Sequence, residues 1–315
     1  MKATIIGYKG GYLNGMEISD DLSKIFVAQK LIDGKKQIQQ TGIDLRVKAI
    51  TKTWSQIDIR PPEIPFNKEG WVFLPAGSYW FEFHEQLKNP DYVLELHPRS
   101  TLMRAGLTVA IGTGKLILAD DIFRGAGIRV LNPYGFWLEQ ESRVSQALLR
   151  SESRVFFTPH NLIGISRPLT VDKIFVYKKP GRLGVNKYDC DIDVVSEIED
   201  SIVLNPGECC FLRFKETIAV GRDEVVVTCN DFIRHSLYAM GAIADPGYMG
   251  KLHANIQHAS ISFPNSYRIS IGDKILRLKK FRITPVPKEK LYNGSYKGLG
   301  LEKGAKTGDE VEWDL

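Results

Sequence analysis

Cysteine is scarce in this chain. There are 4 in 315 residues (Cys190, Cys209, Cys210 and Cys229), all in the second half and none in CxxC spacing. That usage excludes a disulfide scaffold and a zinc ribbon, and it predicts reduced, structural thiols. In the strand-like run around Cys209 and Cys210, neighbouring side chains are expected on opposite faces. No apolar run approaches the roughly 20 residues that a membrane span needs, so no membrane partner is expected. The opening MKATIIGYKGGYLNG lacks the apolar region of a secretory leader, which makes a cytoplasmic location the expectation. A long basic run is missing as well. Net charge is +5, with Lys and Arg spread along the chain, which predicts a solvated, mildly basic surface and no nucleic-acid groove.

What is present is a series of short β runs broken by turn residues: Trp71–Phe83, Tyr92–His97, Gly127–Gly135, Ile202–Phe214 and Glu224–Cys229. Such spacing predicts a mainly β barrel or sandwich. One short helix is expected over Ser19–Leu31, capped by Ser19 or Asp20, with Ile25, Phe26 and Leu31 on its apolar face. Segments also recur. Val72–Glu85 parallels Val203–Glu216, Asp120–Gly125 parallels Asp245–Gly250, and Leu138–Leu149 parallels Ile269–Lys280. The chain length suffices for two cores. The expected organisation is one unit over 1–150, a connection over 151–187, a diverged unit over 188–290 and a Gly-rich arm over 291–315.

Three polar clusters carry the chemistry. PRSTL (Pro98–Leu102) offers a guanidinium and two hydroxyls to phosphate oxygens. ADDIFRG (Ala119–Gly125) offers a carboxylate for a sugar hydroxyl or a water. ESRVSQ (Glu141–Gln146) adds a second cation and an amide that reads a polar edge. Taken singly each has a plain structural reading. Asp before Gly caps turns through its own backbone, at Asp120 and at Asp245 alike, and a Gly-rich tail is often only flexible. His97, His235, His253 and His258 fit surface or core histidines better than metal ligands.

In this order and spacing the clusters resemble motifs 2, 3 and 4 of the dCTP deaminase and dUTPase superfamily. QIQQTGIDLRV (Gln37–Val47) is similar to the N-terminal signature of dCTP deaminases, with Asp44 in the motif 1 position, and Lys290–Gly308 is similar to their closing C-terminal arm. The resemblance implies two tandem dUTPase-like distorted β-barrel or jelly-roll units acting on dUTP or dCTP. Mg²⁺ would be held mainly through substrate phosphates, with no dedicated protein ligands. By motif, Asp120, Arg104, Ser100 and Asp245 would be catalytic, while Arg99, Thr101, Asp44, Arg124, Arg143, Gln146, Tyr248, Tyr296 and Lys297 would bind substrate. Single-unit members are trimers with sites between subunits, so a fused pair either builds its site between its own halves or assembles further as a homo-oligomer. Asp193, in Tyr188–Val195, is the expected second counterpart of Asp44.

The copies are unequal. The second has Arg277 where the first has Gln146, and its phosphate cluster is reduced either to Arg234-His235-Ser236 or to Asn230-Asp231. Zinc-independent deamination in this superfamily needs a Glu on the strand after the Gly of motif 3. Neither 126–138 nor 251–270 contains any Glu or Asp; Asn255 falls nearest the position. An amide is no general base near neutral pH. Hydrolysis of dUTP to dUMP and pyrophosphate is therefore the favoured reaction. The alternatives are a dCTP deaminase (dCTP to dUTP, or bifunctional to dUMP) with a substitute such as Glu139 or Glu141, and a non-catalytic nucleotide-binding regulator.

Overall fold

A computed structural model describes residues 12–25, 34–53, 60–87, 92–109, 123–151, 162–186, 189–229, 236–241, 243–258, 265–293, 298 and 313–314. Three short helices, α1 (Gly15–Ile25), α2 (Gly34–Gln37) and α3 (Ser100–Arg104), accompany twenty strands. Strands of the first half are β1 (Ile43–Lys52), β2 (Trp71–Leu74), β3 (Gly77–Leu87), β4 (Tyr92–Pro98), β5 (Leu107–Val109), β6 (Phe123–Val130), β7 (Phe136–Glu139) and β8 (Arg143–Ser151). There follow β9 (Leu162–Ser166), β10 (Val171–Tyr177), β11 (Gly181–Leu183), β12 (Val195–Ile198), β13 (Ser201–Leu204), β14 (Cys209–Ala219) and β15 (Glu224–Cys229). The last are β16 (Leu237–Gly241), β17 (Met249–His258), β18 (Tyr267–Ser270), β19 (Arg277–Arg282) and β20 (Trp313–Asp314). The mainly β expectation holds.

Pairings in the first half recur in the second. A six-stranded sheet runs β4-β8-β1-β3-β6-β5; a five-stranded sheet runs β12-β10-β14-β17-β16 and a four-stranded one β15-β19-β9-β20. Strand β1 serves two neighbours. Its start pairs β8 and its end pairs β3, with a register shift in each ladder, the local twist that such irregularities produce. In the second half that one strand is split, β9 pairing β19 and β10 pairing β14. The break falls at Pro168, which has no N–H to give a ladder. Residues 151–187, expected to be a connection, thus contribute three strands. Asp193 lies after them, exposed, and is not on the strands that correspond to β1.

The helix expectation needs one correction. α1 starts at Gly15, four residues before the expected Ser19, because Asn14 caps it: Asn14 Oδ1 accepts from the N–H groups of Met16 (2.9 Å) and Glu17 (3.0 Å). Glu17 returns the bond by accepting the N–H of Asn14 at 3.1 Å, a reciprocal capping box. Residues 26–31 lie outside the described residues.

Two large cores fill the halves, and they are not separate. Phe211, Tyr177, Leu183 and Val194 belong to the first core with Phe81, Phe83 and Phe136, although they come from later in the chain. Strand β11 adds in parallel to β7 in the three-stranded sheet β11-β7-β2. Cys209 packs against the first core while Cys210 lies in the second, on opposite faces as expected. A third cluster (Tyr12, Leu148, Val225, Val227, Ile283 and Val286) seals the seam. Each fully buried Phe contributes about 1.5–3 kcal/mol by burial. No helix among the described residues is long and apolar enough to cross a membrane.

Gly106 ends α3 with φ of +86°, and a Cβ there would sit 2.7 Å from Asn132 Cβ and 2.9 Å from Asn132 N. Only glycine takes this backbone without strain. Gly106→Ala is expected to lower unfolding stability by about 2–4 kcal/mol, read as a reduced denaturant midpoint at unchanged m-value.

Candidate functional site

Asp44, Gln146 and His97 stand opposite one another on β1, β8 and β4, so their side chains form one row across three strands. This row faces the second half. Asp44 is buried, and its Oδ2 meets three donors: Arg99 Nε at 3.1 Å, Arg143 Nη1 at 3.2 Å and Gln39 Nε2 at 3.1 Å. Both guanidiniums are fixed from behind. Arg143 donates to Lys36 O at 2.6 Å, at the end of α2, and Arg99 donates to Arg143 O at 3.2 Å. Burial raises the Asp44 carboxyl above the usual carboxylate range, against the pull of Arg99 and Arg143; Glu85 adds to the rise. Its Oδ1 is buried with no hydrogen-bond partner.

A second carboxylate enters from the other half. Asp245, Pro246, Gly247 and Tyr248 form a turn closed by the Tyr248 N–H on Asp245 O (2.9 Å), with Gly247 at φ +87°; this is the type II pattern of Pro then Gly. The Asp245 side chain does not cap its own turn. Its Oδ1 accepts the Thr41 hydroxyl and the Gln146 amide (3.4 Å), and that amide also donates to Thr41 O at 2.7 Å. Burial, joined by the charge of Asp44, pushes the Asp245 carboxyl up to about 7, against the hydrogen bonds from Thr41 and Gln146.

Other expected residues lie around this centre. Ser100 and Thr101 form the first turn of α3, half-buried directly after Arg99. Arg104, at its other end, reaches across the seam with its guanidinium carbon 5.9 Å from the Phe211 ring centroid. Tyr248 is buried; its hydroxyl donates to Lys251 O at 2.9 Å and its ring meets Tyr292 edge-on at 5.7 Å. The arm begins alongside, with Tyr292 N–H on Pro246 O (2.8 Å) and Gly298 N–H on Met249 O (2.7 Å). Asp120, Tyr296, Lys297 and the Arg124 side chain lie outside the described residues.

Asn255, the residue that falls nearest the expected place of a deaminase Glu, is on β17 and fully buried. Its Oδ1 accepts the Tyr177 hydroxyl at 2.5 Å and its amide donates to Met103 O at 2.8 Å. The bond to Met103 O and that of Asn132 to Ala105 O (3.3 Å) add side-chain donors at the end of α3, where Met103 O also accepts the Gly106 N–H at 3.1 Å. The acidic substitutes are engaged elsewhere. Glu139 accepts the Val185 N–H at 2.6 Å, and Glu141 pairs with Arg46 (2.7 Å) and His84 (3.2 Å). His253 stacks on Phe211, and burial together with Arg104 and Arg213 holds it down at about 3, so it stays neutral. Among the described residues no group of three or more His, Cys, Asp or Glu forms a metal cage.

Sequence reasoning missed Thr41 and Gln39 as site residues, although both lie within the quoted Gln37–Val47 stretch. Neither has a local signature, because Thr41 is set by its bond to Asp245 of the other half and Gln39 by its bond to Asp44.

No family model matches the chain. It is 29% identical over 149 residues to a probable deoxyuridine 5'-triphosphate nucleotidohydrolase of Methanosarcina mazei, an overlap of 41% of this chain and 84% of that protein. The protein of the same name from Methanosarcina barkeri is 30% identical over 150 residues, again 41% of this chain and 84% of that one. In fold, the crystal structure of 2'-deoxycytidine 5'-triphosphate deaminase from Agrobacterium tumefaciens matches with a TM-score of 0.66 at 16% identity, covering 89% of this chain and 100% of that one. The chain belongs to the dCTP deaminase/dUTPase superfamily of enzymes.

The raised Asp245 carboxyl carries a stability signature. Its folded value of about 7 lies above the ordinary 3.8, so the folded state holds a proton that the unfolded chain has released between those values. The stability from this neutral group is present below about pH 4 and is lost as pH rises through 7. The melting temperature of wild type should therefore fall relative to that of Asp245→Asn as pH rises from 5 to 8. Parallel curves would contradict the assignment.

Proposed function

We propose that this protein hydrolyses dUTP to dUMP and pyrophosphate at the site between its halves, with Asp245 as general base. The observation that carries this reading is the placement of Asp245 from the second half against Thr41 and Gln146 of the first, beside Asp44. Among the described residues it is the motif 3 carboxylate that faces the row; Asp120 lies outside them.

In the reaction Asp245 accepts a proton from a water as its oxygen bonds to the α-phosphorus, and the bond from that phosphorus to the bridging oxygen breaks to release pyrophosphate. A carboxyl near 7 is matched to this task at neutral pH. Arg99 and Arg143, partly exposed and braced by Asp44, bring two positive charges toward phosphate oxygens as charge develops. Ser100 and Thr101 add hydroxyls beside Arg99. Asp44 Oδ1, buried without a hydrogen-bond partner, is the donor that would add to an ion held mainly by the triphosphate. Mg²⁺ bound there would neutralise charge on the phosphates.

One observation favours a second reading. The fold likeness that spans both halves is to a protein named a dCTP deaminase. The engaged amide of Asn255, the residue nearest the place where a proton shuttle is needed, weighs against that reaction here.

Product analysis with Mg²⁺ and either dUTP or dCTP separates the readings: dUMP from dUTP alone supports hydrolysis, and dUTP from dCTP supports deamination. Asp245→Asn should lower kcat by about 10²–10⁴-fold, and wild-type kcat/KM should climb on an acid limb near pH 7. A full loss in Asp120→Asn with normal turnover in Asp245→Asn would transfer the role to Asp120.

A further inference from the structure

Next to the row of Asp44, Gln146 and His97 lies a second buried polar cluster. Glu95 and His97 sit two residues apart on β4 and share a face. Glu95 Oε1 lies 3.0 Å from His97 Nε2, and Glu95 Oε2 accepts the Tyr12 hydroxyl at 2.6 Å. All three residues are buried. A carboxylate in such a place is costly unless its oxygens are satisfied, and here each oxygen has its own partner.

Tyr12 comes from the segment before α1, which runs along the seam. It bridges in parallel to Ile283, its ring packs edge-on against Phe281 at 5.3 Å, and the next N–H, from Leu13, donates to Leu149 O at 2.8 Å. Asn14 then bridges to Thr41, the residue whose hydroxyl holds Asp245, and its side chain donates to Thr284 O at 3.3 Å. The segment touches both halves within three residues. Its reach into β4 ends at His97, which is directly opposite Gln146 and two residues before Arg99. Ser145 Oγ on His97 O, at 3.1 Å, ties that last rung of the ladder.

We propose that Tyr12, Glu95 and His97 are positioning residues of the composite site: Tyr12 fixes Glu95, Glu95 orients His97, and His97 sets the end of β4 from which Arg99 springs and the strand face on which Gln146 meets Asp245. None of the three touches the reacting atoms. Their effect on turnover rests on the hydrolase reading above.

The test uses the full chain with Tyr12→Phe and Glu95→Gln. Three readouts are taken: kcat and KM for dUTP and dCTP, the ¹⁵N imidazole signals of His97 without nucleotide (assigned by loss in His97→Gln), and the melting temperature. Tyr12→Phe should lower kcat about tenfold while KM stays within about twofold, and it should shift the His97 imidazole signals. Glu95→Gln should do the same to a greater extent. A role confined to folding would lower only the melting temperature, and an unchanged kcat in both variants overturns the proposal even if the imidazole moves. Should wild type turn over neither triphosphate, the hydrolase reading fails by itself. Positioning is then read from dUTP binding by calorimetry, where about tenfold weaker binding by Tyr12→Phe supports it and equal binding overturns it.

Discussion

Everything at this site depends on two carboxylates sharing one dry recess. Asp44 and Asp245 come from different halves, and the charge of Asp44 raises the proton affinity of Asp245. Two like charges so close are tolerable only if one is neutralised by partners and the other keeps a proton near neutrality. The structure divides the roles in that way. Asp44 meets Arg99, Arg143 and Gln39, while Asp245 meets Thr41 and the amide of Gln146 and, among the described residues, no cation. The positions of α2, α3 and the ends of β1, β4 and β8 follow from the need to bring those partners to a single point.

The same need explains why the halves interlock. A site split across a seam is only as well ordered as the seam. Here the seam is closed by apolar packing around Leu148, Val225 and Val227, by the parallel addition of β11 to β7, and by the Asn255 amide, which crosses it to donate to Met103 O at the end of α3. Phe211, from the second half, fills the first core and also lies under Arg104.

Much of this was legible in the sequence. Short runs of alternating residues marked the strands, and the recurrence of Val72–Glu85 in Val203–Glu216 matches the equivalent roles of β2 and β3 with β13 and β14. Arg99, Arg143, Gln146, Asp44 and Asp245 were all singled out by motif, and they converge. What the sequence hid was long-range or conformational. The counterpart of β1 is split at Pro168, which broke the pattern and led to Asp193 instead. The cap of α1 is Asn14, ahead of a Gly and a Met that look like loop. Thr41 owes its importance to a partner 204 positions away, and no local pattern signals such a contact.

Asn255 has one more consequence, for the seam. Its side chain acts as a strut between β17 and α3, receiving one proton from Tyr177 and giving one to Met103 O. A carboxylate at the same place has no N–H to give. An acidic residue there would lose the bond to Met103 O and set a charge among fully buried groups, at a cost in stability. Asn255 thus works as a tie of the seam, joining a strand of one half to a short helix of the other.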